Sequence, residues 1–183
     1  MQDGKYGEET VDIERKKAYN ETADKLQFER YRVMLGKNAP KNFSAFQKLK
    51  YSEDWGAFKA YSKSIRTGEL TPLADFDLYK EIGKEMDEKL VGKVTSNGVL
   101  ITEKSKHSIA RVIGSVEQRR NGVKVDDIVD ALTSKNADVL PVREMSNGRS
   151  QKFSNVVVEV SINPDTGNLI QVNPIHQKRR VKN

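Results

Sequence analysis

The chain has 183 residues, 36% hydrophobic and 32% charged, with a formal net charge of +6, which fits one domain or one domain with a helical appendage. It has no cysteine and two histidines, which excludes disulfides, cysteine nucleophiles and thiolate metal sites and argues against a histidine-rich zinc site. No run approaches the ~18 apolar residues of a membrane span, and the first residues lack a charged-then-apolar pattern, so no secretory leader is expected there.

The charge is uneven. Residues 1–90 hold 17 basic and 17 acidic side chains, whereas residues 91–183 hold 15 and 9. Basic excess confined to one segment points to a polyanionic partner, most often nucleic acid. The competing reading is a basic domain with no such partner.

Residues 1–20 are too polar to offset the cost of ordering and read as a loose terminus. The chain also reads as a piece of something longer. Thr22 is expected to cap a helix running to Leu35, with Phe28, Tyr31 and Leu35 on one face and Gly36 as its stop. After the breaker at 37–40, Asn42 is expected to cap a short helix carrying Phe43, Phe46 and Leu49. Ser52 is expected to open a third, whose apolar set is Trp55, Phe58, Tyr61 and Ile65. Thr71-Pro72, with Asp75 and Asp77 following, signals a fourth helix start. Leu78, Ile82 and Met86 continue it, and it is expected to link the two halves.

At Leu90 the period changes. Residues 91–95 and 99–102 around Asn97-Gly98 read as a β-hairpin, because Asn-Gly tolerates positive φ at both turn positions. Ser105 then caps a helix with the stripe Ile109, Val112, Ile113 and Val116, ended by Asn121-Gly122. A second helix carries Val125, Ile128, Val129 and Leu132. Residues 139–142 read as an edge strand because of Pro141. Asn147-Gly148 turns the chain, Val156–Ile162 is the strongest strand pattern, and Asp165-Thr166-Gly167 turns into Leu169–Val172. The last segment, 177–183, is a basic tail. The expected fold class is therefore α+β: a helical segment at 21–89, then at 90–176 a small domain of helices packed on an antiparallel sheet.

A Walker loop, a G-x-S-x-G elbow and H-E-x-x-H are all absent. Asp126, Asp127 and Asp130 sit early on one helix, where acids complement the helix dipole, so no metal site is read from them. His107 and Arg111 lie four residues apart on the polar side of their helix, opposite Ile109 and Val116. A histidine moves protons near neutral pH and a guanidinium holds phosphate. The pair suits RNA cleavage in which a base takes the ribose 2′-hydroxyl proton and cations stabilise the attacked phosphate. A solvated polar helix face is the alternative. Glu159 and Ser161 share one strand face by the period of two, and Gln171 and Asn173 share one on the last strand. Glu159 is a candidate second base, Ser161 a candidate phosphate donor. Lys152 lies just upstream, and His176 adjoins the tail.

Two stretches resemble known families. Ala39-Pro40-Lys41-Asn42-Phe43-Ser44-Ala45-Phe46-Gln47-Lys48-Leu49-Lys50-Tyr51, followed by Asp54-Trp55, resembles the region near the C-terminus of phage Mu-type head-morphogenesis (minor capsid) proteins. Residues 90–176 resemble toxin-like domains fused to such proteins. Here the resemblance is carried by Thr95-Ser96-Asn97-Gly98, by Ser105-Lys106-His107 with Arg111, by residues 112–123 and by residues 163–174. Those domains are similar to the barnase, EndoU, colicin and RelE-like group of metal-independent ribonucleases. The resemblance implies catalytic roles for His107, Arg111 and Lys152. Ser161 and Asn173 are further catalytic candidates, and Lys106, Arg119 and Arg120 are expected to bind RNA. The group often has Ser or Thr on its last strand, where this chain offers Gln171 and Asn173. It implies RNA as substrate, no cofactor, a cognate immunity protein and phage head components as partners, no membrane partner, and a place in the virion or the bacterial cytoplasm. The rival is a structural phage head module whose basic half contacts packaged DNA without catalysis; a third reading is an RNA-binding domain.

Overall fold

The computed structural model describes residues 20–175. Of the expected loose terminus at 1–20, residues 1–19 lie outside them and Asn20 is already helical; His176 and the basic tail also lie outside. The chain divides into two compact units after Gly56.

In the first unit, residues 20–35 are helical (α1), so Thr22 lies inside the helix rather than capping it. Gly36, at φ +55°, ends α1 and opens a single 3₁₀ turn, Gly36–Asn38. The next helix, α2 (Phe43–Lys50), starts where Asn42 Oδ1 accepts from the Ala45 amide at 2.8 Å, as the cap chemistry requires. The core is aromatic. Phe28 lies 6.1 and 5.4 Å from Phe43 and Phe46, and Tyr31 and Phe46 each meet Trp55 edge-on at 5.7 Å. Asp24 is buried and accepts hydrogen bonds from the Lys50 ammonium and, at 2.7 Å, from Tyr51 Oη. Burial would push its carboxyl up, but the hydrogen bonds and the Lys50 charge outweigh burial and hold it below the usual carboxylate range.

The third helix, α3 (Trp55–Arg66), begins three residues after Ser52, whose hydroxyl accepts from the Asp54 amide at 3.2 Å in a local turn. In the second unit its Phe58 and Tyr61 pack on Phe76 and Tyr79, at ring separations of 5.2 and 5.6 Å. The next helix, α4 (Phe76–Leu90), starts later than Pro72, where Asp75 Oδ1 accepts from the Leu78 amide at 2.8 Å. Its buried face is Tyr79, Gly83, Met86 and Leu90, and Leu78 is exposed. Helix α4 packs against α5 (Lys106–Ile113) and α6 (Val125–Thr133). It therefore belongs with the sheet.

The sheet comprises β1 (Glu103–Lys104), β2 (Asp138–Val139), β3 (Arg143–Met145), β4 (Gly148–Ser154), β5 (Val158–Ile162) and β6 (Asn168–Pro174). Its order is β1-β6-β5-β4-β2, with β3 also paired to β4. The fold is α+β, with antiparallel β4, β5 and β6 at its centre. The sheet is mixed rather than wholly antiparallel, because the two-residue β1 pairs parallel to β6.

Several local expectations change. The hairpin at 91–102 reduces to one bridge, Val94 to Leu100. The Thr95 hydroxyl takes over the turn, accepting from the Val99 amide at 2.9 Å and donating to Asn97 Oδ1 at 2.6 Å. Helix α5 ends at Gly114, well before Asn121-Gly122, and Val116 is 66% exposed in the turn that follows. Strand β5 starts at Val158, because Asn155 Oδ1 captures the amides of Val157 and Val158 at 2.9 and 2.8 Å. Strand β4 carries no strand pattern in its sequence: Gly-Arg-Ser-Gln-Lys-Phe-Ser has a single large apolar side chain, Phe153, on the core face.

Register sorts the sheet into two faces. Phe153, Val160 and Val172 align in one apolar row, over which α5 and α6 lie. On the other face Ser154, Glu159 and Asn173 form one cross-strand row, and Lys152, Ser161 and Gln171 the next.

Candidate active site

Ser105 caps α5 by accepting from the Ser108 amide at 3.2 Å. That start fixes His107 in the first turn and Arg111 one turn later on the same side. Since α5 packs along β6, this side meets the polar end of the last strand.

His107 Nδ1 lies 2.9 Å from Glu69 Oε2. A carboxylate can only accept, so the neutral imidazole carries its hydrogen on Nδ1. The lone pair on Nε2 then accepts from Arg111 Nε at 3.3 Å. Arg111 Nη1 donates to Asn173 Oδ1 at 3.4 Å, and Gln171 Nε2 donates to the same oxygen at 3.5 Å. Glu69, His107, Arg111 and Asn173 thus form one continuous polar chain. The His107 side chain is 37% exposed.

Glu69 sits in the loop between α3 and α4, and a second segment holds it there. The turn from Ser115 to Arg120 is closed by a backbone bridge between its ends. Ser115 Oγ donates to the Gly68 carbonyl at 2.5 Å, and the Arg120 guanidinium donates to the Glu69 carbonyl. This turn is built on two glycines. Gly114 has φ +97°, and a Cβ there would meet the Gly122 amide nitrogen at 2.7 Å and the Arg120 carbonyl at 2.9 Å. A Cβ at Gly122 would meet the Ile113 and Val112 carbonyls at 2.6 and 2.7 Å. Within the turn Arg119 takes φ +48°, a left-handed conformation costly for a bulky residue and usually kept only where surrounding structure enforces it.

The result is a cleft of about 370 Å³ lined by Arg111, Gln118, Arg119, Arg120, Glu159, Asn173 and Pro174. Three guanidiniums face one carboxylate. Burial, and next the charge of Arg111, hold Arg120 below the usual arginine value, partly opposed by Glu69. Arg120 Nε is buried without a partner. An anion entering the cleft would relieve the like-charge repulsion.

On the other side of the Glu69–His107 pair lies a second cavity of about 350 Å³, lined by Ala60, Lys63, Ser64, Thr67, Glu69, Lys106 and His107. Its roof is tied to α4 by Tyr79, whose hydroxyl donates to the Lys106 carbonyl at 3.3 Å and whose pKa burial pushes up to about 12.

Of the residues singled out in the sequence, Arg111, Arg119, Arg120, Glu159 and Asn173 share the first cleft, with His107 touching Arg111. Lys106 lines the second cavity. Lys152 and Ser161 lie opposite each other in the neighbouring cross-strand row, Ser161 is buried, and neither lines the cleft. Asp126 binds Lys89 at 2.9 Å and Asp130 binds Asn155 at 2.8 Å, so those acids serve packing. Among the described residues no three His, Asp or Glu side chains gather as metal ligands, and no helix is long and apolar enough to cross a membrane. Glu69 and Gln118 join the site without a signal in the local sequence. Glu69 lies 38 residues before its partner, beyond the reach of any local spacing rule.

Comparison with protein-family models, curated proteins and solved structures gives no match.

Proposed function

We propose that the second unit is a metal-independent endoribonuclease, a toxin domain carried by a phage head protein and acting from the virion or in the bacterial cytoplasm. What supports this reading most is one juxtaposition: a carboxylate-held imidazole touches a guanidinium that lines a cleft with two more guanidiniums. The scissile phosphate binds Arg111 and Arg120 and draws Arg111 away from His107 Nε2. The freed lone pair accepts the 2′-hydroxyl proton, and Glu69 stabilises the imidazolium so formed. The 2′-oxygen attacks the adjacent phosphorus, the guanidiniums offset the added negative charge, and the 5′-oxygen leaves with a proton from water. The product end is a 2′,3′-cyclic phosphate. Glu159 lines the same cleft, and its negative charge limits how deeply a phosphate enters.

The test is cleavage of total RNA by the purified chain and by His107→Ala. Loss of roughly 10²–10⁴ in rate is expected for removal of a general base. Binding of both RNA and duplex DNA with no cleavage of either would replace this reading with a phosphate-binding structural module.

A further inference from the structure

The second cavity has no part in the cleavage step just described, yet it adjoins it. His107 lines the cavity, Arg111 lines the cleft, and their 3.3 Å contact joins the two linings. The cavity's charged groups are Lys63, Lys106 and Glu69. Glu69 is already engaged by His107. Lys63 and Lys106 are exposed and make no ion pair among the described residues, whereas Lys50, Lys89 and Lys104 each hold a carboxylate. Ser64 and Thr67 add hydroxyls, although these already donate back to α3 carbonyls and retain only acceptor capacity. Two unpaired ammoniums at a concave wall, joined to a cluster of guanidiniums through the His107–Arg111 contact, form a track of positive charge interrupted by the Glu69–His107 pair.

We propose that this cavity receives the phosphate next along the strand, so that the ligand is a single-stranded oligonucleotide spanning both sites rather than a mononucleotide or an isolated phosphodiester. The strand crosses the His107–Arg111 contact, with one phosphate on Arg111 and Arg120 and its neighbour on Lys63 and Lys106. The ribonuclease reading supplies the identity of the polyanion, and the inference rests on it to that extent. A duplex is too stiff to seat adjacent phosphates in two separate concavities, which favours a flexible strand.

The experiment measures binding, not cleavage. Fluorescently labelled 2′-O-methyl oligonucleotides of two to six nucleotides cannot be cut by 2′-attack and report affinity by anisotropy. For the wild type, affinity should step up when a second phosphate becomes available. For Lys63→Ala/Lys106→Ala the step should vanish, weakening longer ligands roughly two- to thirtyfold, the worth of two exposed ion pairs. The log–log salt slope should fall by about 1.4, two phosphate contacts on a single strand. Lys63→Glu/Lys106→Glu should weaken them further. Unchanged affinity and salt slope in both double variants would overturn the proposal. So would absence of any oligonucleotide binding by the wild type, or displacement by polyglutamate of equal charge as effective as by oligonucleotide. The expected ladder together with no cleavage of unmodified RNA would leave the two-phosphate track standing and remove only the catalytic reading.

Discussion

Glu69 accepts a hydrogen bond from His107 at 2.9 Å across 38 residues of sequence. This contact turns a surface histidine into an oriented one, because it fixes the Nδ1–H tautomer and leaves the Nε2 lone pair toward Arg111. Glu69→Ala should therefore lower kcat by about 10²-fold with little change in KM. Nitrogen NMR should show a single Nδ1–H tautomer in the wild type and a mixture in the variant. An unchanged tautomer would show that Glu69 does not position the ring.

In the proposed cleavage the arginines act on charge rather than on protons. Arg111→Ala and Arg120→Ala should each lower the cleavage rate by roughly 10²–10³, since each removes a donor from the developing phosphorane. Arg120→Lys should recover little, because a point ammonium cannot both reach the Glu69 carbonyl and present a second donor to the cleft. Steady-state kinetics on a short RNA checks both statements.

Much of this arrangement is legible in local sequence chemistry. Asn42 and Ser105 mark helix starts because a side-chain oxygen meets an unpaired amide, a contact spanning three residues. The face shared by His107 and Arg111 follows from helical spacing, and the Asp165-Thr166-Gly167 turn follows from turn residues. Other features depend on distant partners. The parallel pairing of β1 with β6 involves two residues whose own pattern is too short to read. Strand β4 lacks apolar alternation, because the buried position next to Phe153 on its core side is filled by Gln151, whose amide donates to the Leu140 carbonyl and accepts from Asn97. Gly114 ends α5 by packing against Gly122, and nothing in the adjoining residues announces a partner eight positions away. Glu69 belongs to the same class.

That glycine pair gives a stability prediction. Gly114→Ala places a methyl group within 3.0 Å of three backbone atoms at φ +97°. The expected cost is about 2–3 kcal/mol, combining steric overlap and the left-handed strain. Urea unfolding checks it. Because the same turn carries Arg119 and Arg120, RNA affinity should fall alongside stability.

The first unit offers a pH test. The Asp24 carboxyl is held below its ordinary range by Lys50 and Tyr51 despite burial. A carboxylate whose folded pKa lies under its unfolded value contributes stability that is complete above the unfolded pKa, and the contribution is lost as pH falls through the folded one. Asp24→Asn should thus destabilise at neutral pH by about 1–3 kcal/mol, through weakened charged hydrogen bonds. The gap from wild type should close as the pH drops below the carboxylate range. Trp55 is the only tryptophan and packs in that core, so its fluorescence follows the transition directly.

The central claim is that His107, held by Glu69 and flanked by the arginine cleft, cuts RNA through the 2′-hydroxyl. The most direct measurement is product analysis of a defined RNA, and of the same sequence as DNA, incubated with excess chelator and either wild type or His107→Ala. The account predicts RNA fragments ending in 2′,3′-cyclic phosphate with wild type, intact DNA, and cleavage reduced by roughly 10²–10⁴ in the variant. Cleavage that stops with chelator, cutting of the DNA strand, or undiminished activity in His107→Ala would contradict it.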